Sequence, residues 1–252
     1  MKLSQRIILT FSLVAGFAST MQLITHNSIS NYVKSDLTKI MRKQEEKLGI
    51  IHEGMPDVGY YSSIFDKDVV GTYNSKRDFV NIDVLKVNVS GNNDVKYVYS
   101  DNRQNIDELL NHELGHFYVD KLSERIYGRD WPKYSNLEEL DDVIRLKLIS
   151  EGIAEYFENV MMNENLNAIP YWPKKEYLFI KEGNNPLLYK TGFHIVNPII
   201  NIYRTKGIEY LILNIPKREE LDDLHGYQER ILSELHVLYG PKPIPKLALN
   251  PK

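Results

Sequence analysis

Apolar residues recur along this chain in two rhythms, and the change of rhythm divides it. Ile29, Val33, Leu37, Ile40 and Met41 return at helical spacing, with basic and acidic residues filling the other face. This predicts a helix that Gly49 can end. Residues 50–103 lose that period. Short β-type runs at Ile50–Ile51, Val58–Tyr61, Val69–Tyr73, Phe79–Val84 and Val95–Tyr99 are separated by Gly, Asn, Asp and Ser, which predicts a small, mostly antiparallel sheet. From Asn105 the helical period returns. Asn105 and Glu108 have capping-box spacing, and Ile106, Leu109, Leu110, Leu114 and Phe117 give the buried stripe of a helix reaching about Leu122. After a loop with Gly128, Trp131 and Pro132, a second capping box at Ser135 and Glu138 opens a helix through Leu140, Ile144, Leu148, Ala154 and Phe157, with a break near Gly152. A third stretch runs from Leu187 to Gly207, interrupted near Pro198, and a fourth carries Leu221, Leu224, Ile231, Leu235 and Leu238 and stops at Gly240. Strands followed by helices make an α+β plan. It reads as one domain over residues 50–240, preceded by an N-terminal helix within 21–49 and followed by an extended Pro-rich tail over 241–252.

The first twenty residues fit none of this. Lys2 and Arg6 precede an apolar run from Ile7 through Phe17, and Ala18, Ser19 and Thr20 are small. That is the layout of a secretory signal cleaved after Ala18; the rival reading is an uncleaved anchor over residues 7–24. A secreted or cell-surface protein is expected either way. Losing Lys2 and Arg6 takes the formal charge from −3 to −5. Neither value suggests a nucleic-acid partner, which calls for a concentrated basic excess. The 252 residues include no cysteine, which excludes disulfides, thiolate-bound zinc, Fe–S clusters and a thiol nucleophile. A metal site in this chain must use His, Asp and Glu.

One segment has that chemistry. Residues 112–116 read His-Glu-Leu-Gly-His within a predicted helix. Positions four apart share a helix face, so His112 and His116 can offer two imidazoles to one Zn²⁺, with Glu113 beside them as a base for a metal-activated water. Gly115 costs about 1 kcal/mol of helix propensity, which close approach of another backbone would justify. The other reading is an amphipathic helix with ordinary polar residues.

With the downstream segment Glu151-Gly152-Ile153-Ala154-Glu155-Tyr156, the chain resembles the gluzincin metallopeptidases, the superfamily of thermolysin-like and aminopeptidase-like enzymes. The resemblance covers residues 70–210 and is specific at 112–116 and 151–156. It implies a zincin-like architecture and a hydrolase with Zn²⁺ held by His112, His116 and Glu151. Glu113 would be general base, and Glu155 would orient a zinc-bound imidazole unless it is a solvated helix charge. It also implies an oxyanion donor from the third helical stretch, with Tyr189 first and His194 in reserve. Asp120, Glu124, Asp141 and Asp142 compete with Glu151 as third ligand. The segments at Gly71–Tyr73 and Phe79–Ile82 are either an edge that pairs with extended substrate or a structural hairpin. No Gly-x-Met-Glu-Asn segment is present, which favours an endopeptidase acting on peptides or proteins, or a specialised substrate, over N-terminal trimming. The alternative is a degenerate relative, an exported or membrane-tethered binding module that keeps zinc without hydrolysing peptides.

Overall fold

The computed structural model describes residues 33–61, 71–83, 103–132, 139–162, 172–174, 178 and 186–240. The N-terminal apolar stripe forms helix α1 over residues 33–48. Its Val33, Leu37, Ile40 and Met41 are buried. Gly49 ends the helix at φ 67° and donates its N–H to the Glu45 carbonyl. This is a left-handed stop that glycine adopts without a Cβ clash.

Three strands follow: β1 (Asp57–Tyr61), β2 (Gly71–Asn74) and β3 (Phe79–Asp83). Their order is β1-β3-β2. β2 and β3 pair as an antiparallel hairpin, whereas β1 and β3 are parallel, with Val58 opposite Val80. The expectation of a mostly antiparallel sheet is therefore corrected to a mixed one. β3 returns from the hairpin in the direction of β1 and inserts between the other two strands, so one of its neighbours must be parallel. Strand runs in a sequence carry no information about that insertion. Ile50–Ile51 is not a strand; Ile50 is buried and Ile51 exposed. The expected leader and anchor within residues 1–24, the Val95–Tyr99 run, the Ser135–Glu138 capping box and the Pro-rich tail lie outside the described residues.

The rest is helical: α2 (Arg103–Tyr127), α3 (Leu140–Met162), α4 (Pro186–Tyr203), α5 (Thr205–Leu213), a 3₁₀ turn (Arg218–Asp222) and α6 (Leu224–Tyr239). The fold is α+β and mostly helical. α2 begins two residues before Asn105, so that residue is not its cap, and it runs past Leu122 to Gly128 at φ 69°. No described helix is long and apolar enough to cross a membrane.

Two expected helix breaks fall elsewhere. α3 passes through Gly152 unbroken, because this glycine serves packing; a Cβ there would stand 2.4 Å from the Gly192 carbonyl carbon of α4. Pro198 sits inside α4, and the chain turns at Arg204 instead, at φ 55°. A proline lacks the N–H that would bond the carbonyl four residues back. Here that carbonyl belongs to His194, and Gln228 of α6 fills the gap. Its Nε2 donates to the His194 and Ile195 carbonyls at 2.6 and 3.0 Å. The lost backbone bond is thus replaced from another helix, and α4 continues.

Two apolar clusters form the core. One joins α1, the sheet and the first half of α2 through Leu37, Val80, Ile82, Leu110, Leu114 and Phe117. The larger joins the second half of α2 to α3 through α6. Small residues set the spacing of the central helices. A Cβ on Gly115 of α2 would lie 2.6 Å from the Ala154 Cα of α3. With Gly152 against Gly192, this stacks α2, α3 and α4 nearly backbone to backbone. The close approach that Gly115 called for is present.

Candidate metal centre

That stacking brings the chemistry together. His112 and His116 project from adjacent turns of α2 toward α3, with ring centroids 5.0 Å apart. Glu151 lies three positions before Ala154, on which Gly115 packs, so the contact that draws α2 and α3 together also delivers its carboxylate. His112 Nε2 stands 3.5 Å and His116 Nε2 3.1 Å from Glu151 Oε2. One donor atom from each of the three residues lies within 4.8 Å of the others. Two imidazole nitrogens and one carboxylate oxygen make a donor set that suits zinc and leaves a coordination position for water or substrate.

The electrostatics match this convergence. Burial alone would raise the Glu151 carboxyl, but the His116 charge and hydrogen bonds to both imidazoles hold it well below the usual carboxylate range. Burial would lower His112; its hydrogen bonds to Glu151 and Glu158 and the charges of Glu113 and Glu151 outweigh that and hold it well above its ordinary value. Glu113 is also buried. Burial pushes its carboxyl up, and the charges of His116 and His112 pull against that. The backbone N–H of Tyr73 donates to this carboxylate, which ties strand β2 to Glu113.

Tyr189 of α4 reaches the cluster, its ring centroid 6.0 Å from that of His112. Burial and the negative charges of Glu151, Glu113 and Glu155 push its phenol up, so it stays a protonated donor at neutral pH. His194 is not brought there. Five positions on, it faces about 140° away around the helix. Its ring packs against Phe193, and burial and Lys190 lower its pKa.

Three of the competing third ligands have other partners. Asp120 accepts from the Trp131 N–H at 2.7 Å and the Tyr73 hydroxyl at 3.0 Å, Glu124 pairs with Lys121, and Asp142 pairs with Arg145 and Arg218. Asp141 belongs to none of the convergent groups among the described residues. The Tyr73 hydroxyl also lies 2.9 Å from Asp78 Oδ1, so this side chain braces the β2–β3 hairpin against α2. The Gly71–Tyr73 and Phe79–Ile82 segments are that hairpin, with β2 at the edge of the described sheet.

Two contacts escape the sequence reading. Glu158 Oε2 is 3.1 Å from His112 Nδ1, nearer than Glu155 Oε1 at 3.8 Å. The Tyr73 N–H on Glu113 is a main-chain contact and leaves no side-chain signature. The helix period does place Glu158 on the face of Glu151 and Glu155, at seven and three residues' distance, which is the signal that could have found it.

Comparisons with protein-family models, curated proteins and solved structures return no match. The case for the centre rests on its geometry.

Proposed function

We propose that this chain is a zinc-dependent peptidase of zincin-like architecture, with His112, His116 and Glu151 as ligands and residues 1–20 serving as export signal or anchor. The observation that carries the reading is the convergence of both Nε2 atoms on one Glu151 oxygen, although Glu151 lies 35 positions after His116 on a separate helix, beside a buried Glu113. A zinc ion bound there would polarise a substrate carbonyl and acidify water at its open position. Glu113 would accept a proton from the attacking water at its carboxylate and pass it to the leaving amine. The Tyr73 N–H would hold that carboxylate in place. The Tyr189 hydroxyl would donate a hydrogen bond where negative charge develops on the carbonyl oxygen. β2, at the sheet edge, is the strand beside which an extended peptide would lie.

The test is metal content by mass spectrometry with a quenched-peptide assay on the same samples. The wild type should carry about one zinc per chain. Glu151→Ala should weaken binding by on the order of 100-fold or more, since even outer-sphere partners contribute 10–100-fold. Glu113→Gln should keep zinc and lose about 10²–10⁴ in turnover. Zinc without hydrolysis of any peptide would favour the binding-module alternative, and a wild type that takes up no zinc would end the proposal.

A further inference from the structure

His112 has two ring nitrogens, and α3 presents a carboxylate to each. Nε2 faces Glu151 and Nδ1 faces Glu158, at 3.5 and 3.1 Å. Glu151, Glu155 and Glu158 occupy one face of α3 at intervals of four and three residues. The outer two bracket the imidazole. An imidazole that gives its Nε2 lone pair to a metal must carry its proton on Nδ1, and that N–H requires an acceptor.

The structure offers two candidates for that acceptor and distinguishes them. Glu155 Oε1 lies at 3.8 Å, beyond hydrogen-bond reach. Its carboxylate is held along α3 by Asn159, whose Nδ2 donates to Glu155 Oε2 at 3.3 Å and to the Glu155 carbonyl at 2.7 Å. Glu158 is within bonding distance. We infer that Glu158, not Glu155, is the positioning residue that fixes the tautomer and orientation of His112 for metal binding. The inference rests on the metal-centre reading proposed above. The gluzincin resemblance assigns this duty to Glu155, four residues after the third ligand; here it passes one turn further along the helix. The Asn159–Glu155 bonds are the physical reason.

The experiment measures zinc affinity of the full chain by chelator competition, together with the unfolding midpoint of the metal-free protein. Glu158→Ala should lose about 10–100-fold in affinity, the range for outer-sphere partners of ligating histidines. Glu158→Gln keeps an acceptor oxygen at the same reach and should recover most of that loss. Glu155→Ala should change affinity by less than about 3-fold on the same scale. The metal-free midpoint of each variant is read beside its affinity, so that lost stability is separated from lost metal binding, and Glu158→Gln should recover affinity at an unchanged metal-free midpoint. Wild-type affinity in Glu158→Ala, or an equal loss in Glu155→Ala, would overturn the inference while leaving the three-ligand centre standing. Two zinc ions per wild-type chain, with the second lost in both alanine variants, would also overturn it, since the two carboxylates would then be ligands themselves. A wild type that binds no zinc would overturn the centre itself, and this inference with it.

Discussion

His52 shows how much a single buried side chain can weigh. Its Nε2 lies 2.9 Å from Gln44 Oε1, and Gln44 Nε2 donates to Asn111 Oδ1 at 2.8 Å, one residue before His112. Its Nδ1 is buried with no hydrogen-bond partner among the described residues. Burial pushes the imidazole down to about 4, against a smaller upward pull from Glu45. The folded-state value lies below the unfolded one, so the unfolded chain takes up the proton first as pH falls. The stability His52 contributes is complete above about pH 6.5 and is lost as pH drops from there toward 4, a change of about 3 kcal/mol. Urea unfolding across that range should show a shallower pH slope in His52→Leu than in the wild type; parallel slopes would contradict the assignment. The convergence of His112, His116 and Glu151 was legible at this scale, the histidines from their spacing of four on a helix and Glu151 from the resemblance of its segment to the gluzincin motif. The choice between Glu155 and Glu158 was not, because it depends on where Asn159 draws a neighbouring side chain.

At the scale of elements, helix–helix spacing decides whether His112, His116 and Glu151 converge. Gly115→Ala offers two opposed effects. Helix propensity gains about 1 kcal/mol, while forcing a methyl against the Ala154 backbone costs about 1–3 kcal/mol. The added atom would meet backbone at 2.6 Å, which no rotamer change can relieve, so the clash should win. Gly115→Ala should lower stability and weaken zinc binding together; a variant more stable than wild type would refute the close crossing. Periodicity located most of the helices, because an apolar stripe is a local property. It misplaced the breaks at Gly152 and Pro198, because their resolution is not local. One glycine meets another on α4, and the carbonyl freed by one proline is met by a glutamine 30 positions later. Strand order was hidden for the same reason.

Across the whole molecule, α2 belongs to both apolar clusters. Leu110, Leu114 and Phe117 pack with α1 and the sheet, while Tyr118, Val119 and Leu122 pack with the remaining helices. The histidine pair sits in the first of these stretches, just before the second begins. The two halves should therefore unfold together. Far- and near-ultraviolet circular dichroism should trace one coincident transition, and Leu37→Ala, in α1, should lower its single midpoint by removing about 2–5 kcal/mol. Two separated transitions would show that α2 does not couple them.

The burial of α1 also sets a limit on maturation. Val33 and Leu37 are fully enclosed, and Lys47 bonds the Val160 carbonyl of α3. A processing protease can remove residues ahead of this helix without touching the described core. A cut after it would strip the cover from Val80 and Ile82 of the sheet and from Leu110 of the helix that carries the histidines. Residues 33–48 are thus part of the folded core, and a cleavage that leaves this core covered falls upstream of them.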